Sequence, residues 1–123
     1  KLKKHPRKAT EFQGHWYMVI EEEVSWQKAY DKCKKLGGYL VCIESGAEHT
    51  FVTDLCRSTF WIGGTDQDKE NKWKWVNGTK FSFMKWYPGE PNGLKKANYI
   101  AISNESWIDE SRGRKFIFIC EWE

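Results

Sequence analysis

Residues 25–45 read SWQKAYDKCKKLGGYLVCIES, and this stretch sets the order of elements around it. Ser25 stands where a helix N-cap belongs, because its hydroxyl can accept from a backbone N–H of the first turn. Across residues 26–36 the apolar side chains Trp26, Ala29, Tyr30, Cys33 and Leu36 follow the spacing of one helix face. Gly37 and Gly38 then stop the helix, as glycine does at a C-terminus. After a short extended run, residues 39–43, Ser45 opens a Ser-x-x-Glu capping box with Glu48. The stretch therefore predicts helix, short strand, second helix.

Working outward, the second helix is expected to reach Leu55 and to bury Phe51, Val52 and Leu55. From Phe60 onward helical spacing disappears. Short apolar runs alternate with turns instead: FWIGG, WKWV, KFSFMKW, NYIAI, SWID and KFIFICEW. Asn77-Gly78 between two of these runs is a hairpin signal. On the other side, residues 12–20, FQGHWYMVI, read as one strand. Residues 1–10 read as a basic linker and residues 11–123 as a single domain. One strand, two helices and then many short strands make an α+β pattern. No internal repeat is evident.

The 123 residues suit one domain, and eight Trp supply a large apolar payload. The net charge of +3 comes from the first residues: Lys1, Lys3, Lys4, Arg7 and Lys8 leave 15 basic against 17 acidic residues behind them. Such a stub reads as a solvated linker rather than a nucleic-acid-binding arm. No apolar run approaches the roughly 20 residues that span a bilayer, so no membrane insertion is expected in this segment. A start at Lys1 without a signal peptide reads as part of a longer protein. Cys33, Cys42, Cys56 and Cys120 show neither CxxC nor zinc spacing, which points to disulfides and an oxidising compartment. Four cysteines allow three pairings.

The run at 25–45, then FWIGG, WYPGEPN, SWID and FICEWE, resembles the C-type lectin-like family in order and spacing, over nearly the whole chain. The resemblance implies two helices flanking small antiparallel sheets, adjacent termini, and a long loop carrying the ligand site. It also implies a disulfide between Cys33 and Cys120. The family's second disulfide has no counterpart, since Tyr99 occupies one of its positions. Cys42 and Cys56 remain, either paired with each other or as buried free thiols.

In sugar-binding members of that family, a Glu and an Asn flanking a cis proline hold calcium and receive sugar hydroxyls. Glu90-Pro91-Asn92 matches that half, in the order associated with mannose-type ligands. The other half departs from the pattern. Ala97 stands where a carboxylate is expected, and Ile108-Asp109 where Asn-Asp is expected. Glu90, Asn92 and Asp109 are thus the candidate ligands of a weak or vestigial calcium site. Sequence leaves open whether Asn104 or Glu105 substitutes for the missing groups. Asp66 and Glu70 match the first ligands of an auxiliary calcium position, but Gly93 and Asn98 replace acids there, and Lys95 and Lys96 add repulsion. Taken without its surroundings, Glu-Pro-Asn-Gly is also ordinary turn chemistry.

Among the aromatics, Trp61 and Trp107 are expected in the core, whereas Tyr87 is the candidate exposed platform for a sugar ring. His5, His15 and His49 form no metal spacing and read as surface or satisfied residues. Asn77-Gly78-Thr79 and Asn104-Glu105-Ser106 match the glycosylation pattern. No nucleophile, base and oxyanion donor can be named together, which argues against an enzyme. The expectation is a non-catalytic, extracellular or exported binding module. Its ligand is a glycan held with weak or absent calcium dependence or, alternatively, a protein bound without calcium through the same loop and Lys95-Lys96.

Overall fold

The computed structural model describes residues 5–93 and 96–123. Helix α1 runs Trp26–Lys35 and α2 runs Gly46–Leu55. The Ser25 hydroxyl accepts from Lys28 N, and Lys32, Lys34 and Lys35 in the last turn oppose the negative end of the helix dipole. Leu36 is the C-cap and Gly37 follows at φ 87°, a conformation open to glycine. At α2, Ser45 accepts from Glu48 N as the capping box requires. The Glu48 carboxylate, however, accepts from Glu44 N at 2.8 Å, one residue ahead of the cap. Val52 is buried, while Phe51 and Leu55 are half-buried against the core.

The strands are β1 Thr10–Phe12, β2 His15–Val24, β3 Tyr39–Leu40, β4 Phe60–Thr65, β5 Lys74–Trp75, β6 Tyr99–Ser103, β7 Ser106–Glu110 and β8 Phe116–Trp122. They form one connected sheet, ordered β1-β2-β8-β4-β6-β7, with β3 on β8 and β5 on β4. It is not a set of purely antiparallel sheets, because β4 and β8 pair in parallel, Phe60 opposite Ile117. The β2·β8 pairing places the first and last long strands side by side.

Three local expectations change. Residues 12–20 are not one strand: the chain reverses at Gln13 and Gly14, both at positive φ, which suits a two-residue hairpin. Packing also begins ahead of residue 11, since Ala9 is buried and His5 stacks on Trp16. At Asn77-Gly78 the turn forms, with Gly78 N bonded to Trp75 O, but no partner strand follows. Phe81 and Phe83 instead lay an irregular segment against Trp107.

The core has two parts, one on each face of the sheet. Strand β8 shows why: Phe118, Cys120 and Trp122 face α1, while Ile119 faces Val52 of α2 and Trp107, as a period of two requires. Trp61 and Trp107 are fully buried. Cys33 and Cys120 are bonded, tying α1 to β8, whereas Cys42 and Cys56 are buried free thiols. Neither helix is long and apolar enough to cross a membrane.

Candidate functional site

The 86–93 loop is seated by backbone bonds to β7. Trp107 N donates to Lys85 O and Tyr87 N to Trp107 O, each at 2.9 Å. Trp107 anchors both bonds because its side chain is locked among Trp75, Phe81, Phe83 and Trp86. From this seat the chain turns through Gly89 at φ 90° into a cis Glu90–Pro91 bond.

The three candidate ligands converge there. Asp109 on β7 accepts Asn92 N on Oδ1 at 3.0 Å and Gly93 N on Oδ2 at 2.8 Å. The Asn92 side-chain amide donates to Glu90 Oε2 at 3.2 Å, and Glu90 Oε1 accepts Asp109 N at 3.4 Å. Contact with Asp109, then burial, pushes the Glu90 carboxyl up to about 7. Burial pushes Asp109 up, but Glu90 and the N–H groups of Asn92 and Gly93 outweigh it and hold Asp109 below the usual carboxylate range. Glu90 is the member of the pair that keeps the proton. Tyr87 is 57% exposed beside them, the accessible ring that sequence reading assigned to it.

The remaining candidates lie elsewhere or contribute nothing. Ala97 is buried and packs where a Cβ on Gly93 would collide with its methyl, and Ile108 brings no donor atom. Asp66 is 1% exposed: Oδ2 accepts Asn71 N at 2.8 Å, and Oδ1 is buried without a hydrogen-bond partner. Its carboxyl is raised, chiefly by burial and in small part by the charge of Asp109. Glu70 is half-buried in the following turn. Asn104 and Glu105 form the turn between β6 and β7, at the far end of those strands from Asp109, and Glu105 pairs with Arg57 at 3.3 Å. They do not reach the site. Lys95 lies outside the described residues; Lys96 is exposed.

Calcium takes six to eight oxygens. Three side chains supply the oxygens here, and both Asp109 oxygens already accept backbone N–H groups. With Ala97 and Ile108 in place of oxygen donors, this set does not fit a tightly held calcium ion. Among the described residues no group of three or more His, Cys, Asp or Glu side chains is arranged to hold a metal.

Sequence reading missed Arg112, which lines a groove with Lys96 next to this site. The available signal was the basic run Arg112, Arg114, Lys115 between two apolar strands. It also missed the partners of the histidines. His15 meets Glu121 at 2.5 Å, and His49 is buried with Nε2 unpartnered, not surface-exposed or satisfied. Of the two glycosylation patterns, Asn104 is exposed, whereas the Asn77 side-chain nitrogen is buried.

A family model for the lectin C-type domain matches residues 22–122. Hepatic lectin of Gallus gallus is 34% identical over 115 residues, covering 89% of this chain and 56% of the relative. CD209 antigen-like protein A of Mus musculus is 35% identical over 117 residues, covering 91% and 49%. The chain thus spans about half the length of these curated relatives. Among solved structures, the cow C-type carbohydrate-recognition domain of CD23, determined in the presence of a GlcNAc2Man3 oligosaccharide, superposes with a TM-score of 0.91. It is 28% identical, with 97% of this chain and 95% of that chain covered.

Proposed function

This chain belongs to the C-type lectin domain family, and on that premise we propose that it is a non-catalytic module that binds a mannose-type glycan with weak or absent calcium dependence. The observation that carries the reading is the convergence of Glu90, Asn92 and Asp109 on one loop beside the exposed Tyr87. Asp109 holds the loop in place through Asn92 N and Gly93 N, so its part in sugar binding is to position Glu90 and Asn92. Glu90 and Asn92 offer acceptors and an amide donor, and the Tyr87 ring suits the apolar face of a pyranose. The cow CD23 domain determined with GlcNAc2Man3 makes an oligosaccharide the natural ligand class to try first. The disulfide supports an oxidising, extracellular or exported setting.

Calorimetry with a mannose-type oligosaccharide, in calcium and again in EDTA, tests this. Binding that survives EDTA and is lost on Asp109→Asn supports the reading. Silence under both conditions sinks it, and binding abolished by EDTA would make the module calcium-dependent after all. A second reading, calcium-independent docking of a protein, is favoured by one observation: Met84 and Tyr87 are the large apolar side chains left exposed among the described residues.

A further inference from the structure

A groove of about 530 Å³ lies between the start of β6 and the loop that connects β7 to β8. Lys96, Asn98 and Tyr99 line one wall, and Ser111, Arg112 and Gly113 the other. The charged side chains in this lining are both cationic. Lys96 and Arg112 are exposed, and neither forms an ion pair among the described residues. Arg114, two residues along the loop, differs: Glu110 holds it at 3.1 Å and its guanidinium lies over Phe116. The Tyr99 hydroxyl is fixed by donation to Gln67 at 3.0 Å, so the floor of the groove is set.

The groove and the Glu90 loop are joined through backbone. Lys96 N bonds to Gly93 O at 3.2 Å, and Gly93 N bonds to the Asp109 carboxylate. Ser111 follows Asp109 by two positions, about 7 Å in extended chain. Acceptors that suit hydroxyl groups therefore lie on chain that runs directly into a groove lined by two cations that form no ion pair among the described residues. A ligand that satisfies both carries hydroxyls at one end and an anion at the other.

We propose that the groove lined by Lys96, Ser111 and Arg112 is an anion subsite that receives a sulfate or carboxylate group of an acidic oligosaccharide whose hydroxyls meet Glu90 and Asn92. The planar guanidinium of Arg112 matches either anion through two parallel N–H bonds, and Lys96 adds a mobile point charge. The proposal deepens the glycan reading and rests on it for the neutral part of the ligand.

The test uses four probes by calorimetry in EDTA: a sulfated oligosaccharide, its unsulfated parent, a sialylated oligosaccharide and inorganic sulfate. The sulfated or sialylated probe is expected to bind about tenfold more tightly than the neutral parent at about 50 mM salt, an advantage lost near 500 mM. Which of the two gains identifies the anion. Lys96→Ser/Arg112→Ser should remove the advantage and leave neutral binding intact, while Arg114→Ser should change neither. Equal binding of charged and neutral probes, or an undiminished advantage in the double variant, overturns the subsite. So does silence with every charged probe. If charged probes bind through Arg112 but Asp109→Asn has no effect, the subsite stands and the reading of the Glu90 loop falls.

Discussion

His15 Nδ1 lies 2.5 Å from Glu121 Oε2, joining a side chain that is 35% exposed to a carboxylate that is 0% exposed. Glu121 also accepts Cys42 N at 3.0 Å, and Glu48 stands nearby between the Tyr17 hydroxyl and Glu44 N. The cluster links β2, β8 and the start of α2. Burial alone would lower His15, but the hydrogen bond and charge of Glu121, with Glu48 and Glu123 behind it, raise it above its ordinary value. Burial and the neighbouring Glu48 push Glu121 up to about 7, against the pull of Cys42 N–H and His15.

Both groups bind a proton more readily in the folded chain, which fixes the sign of the pH dependence. The contribution of Glu121 is fully present below its unfolded value of 4.5 and is lost as pH rises through about 7. That of His15 is fully present below 6.5 and is lost above it, as pH passes the raised folded value. The melting temperature is therefore expected to fall on going from mildly acidic to mildly alkaline buffer. A melting curve series that rises over that interval would contradict the assignment.

Replacing His15 with Gln removes the cation from a buried carboxylate. Breaking such pairs costs about 3–5 kcal/mol when both partners are buried, so a partly exposed His15 should give about 1–2 kcal/mol near pH 7, where Glu121 ionises. The gap should narrow near pH 5, where Glu121 carries its own proton. Urea denaturation of both forms at the two pH values reads this directly, and an equal gap at both would place the effect in packing instead.

How much of this was legible in the sequence depends on which distances were involved. The two helices, their serine caps and the strands from Phe60 onward follow from local spacing, and Glu90-Pro91-Asn92 is contiguous. The partner of Asp109 was visible only through family resemblance, because 16 or more residues separate it from the loop it holds. His15 and Glu121 are 106 apart, and only the β2·β8 register brings them together. Residues 79–85 misled for a different reason. Their alternating aromatics fit a strand, but Trp75 and Trp107 take those rings as core packing, and the backbone pairs only at the segment's end, where Lys85 O accepts Trp107 N.

The disulfide closes a sequence separation of 87, worth roughly 4–5 kcal/mol in the chain-entropy model. Reduction is expected to lower the urea midpoint accordingly. Cys42 is 0% and Cys56 8% exposed, and burial raises both thiols above their ordinary value. Thiol titration of the unreduced protein should count none in buffer and two in denaturant. Reaction of either thiol under native conditions would mean that α2 or the strand before it opens.

Trp107 separates packing from hydrogen bonding. Its indole is fully buried among other rings, and its Nε1 has no hydrogen-bond partner. Trp107→Ala should cost about 3–5 kcal/mol and release the loop that it seats. Trp107→Phe keeps a ring and removes an unpaired donor, so a loss of only about 1–2 kcal/mol is expected. Equal losses would show that the indole nitrogen has a partner, such as a bound water.

The calcium half-site can be tested by rebuilding it. Ala97 and Ile108 occupy the two positions where the family pattern places oxygen donors, and Ala97 sits against Gly93 at the back of the loop. Ala97→Glu/Ile108→Asn adds one charged and one neutral ligand to Glu90, Asn92 and Asp109. Ligand number and charge set calcium affinity, so the variant is expected to reach a Kd of about 0.1–1 mM, at least tenfold tighter than the parent. Calorimetric titration with calcium chloride, with Ala97→Ser/Ile108→Val as control, reads the gain. If the parent already matches the rebuilt variant, backbone carbonyls and water complete its coordination, and the site holds calcium as it stands. If neither binds, the Glu90–Asp109 contact is the obstacle, and Glu90 and Asn92 are left to meet a sugar without a metal.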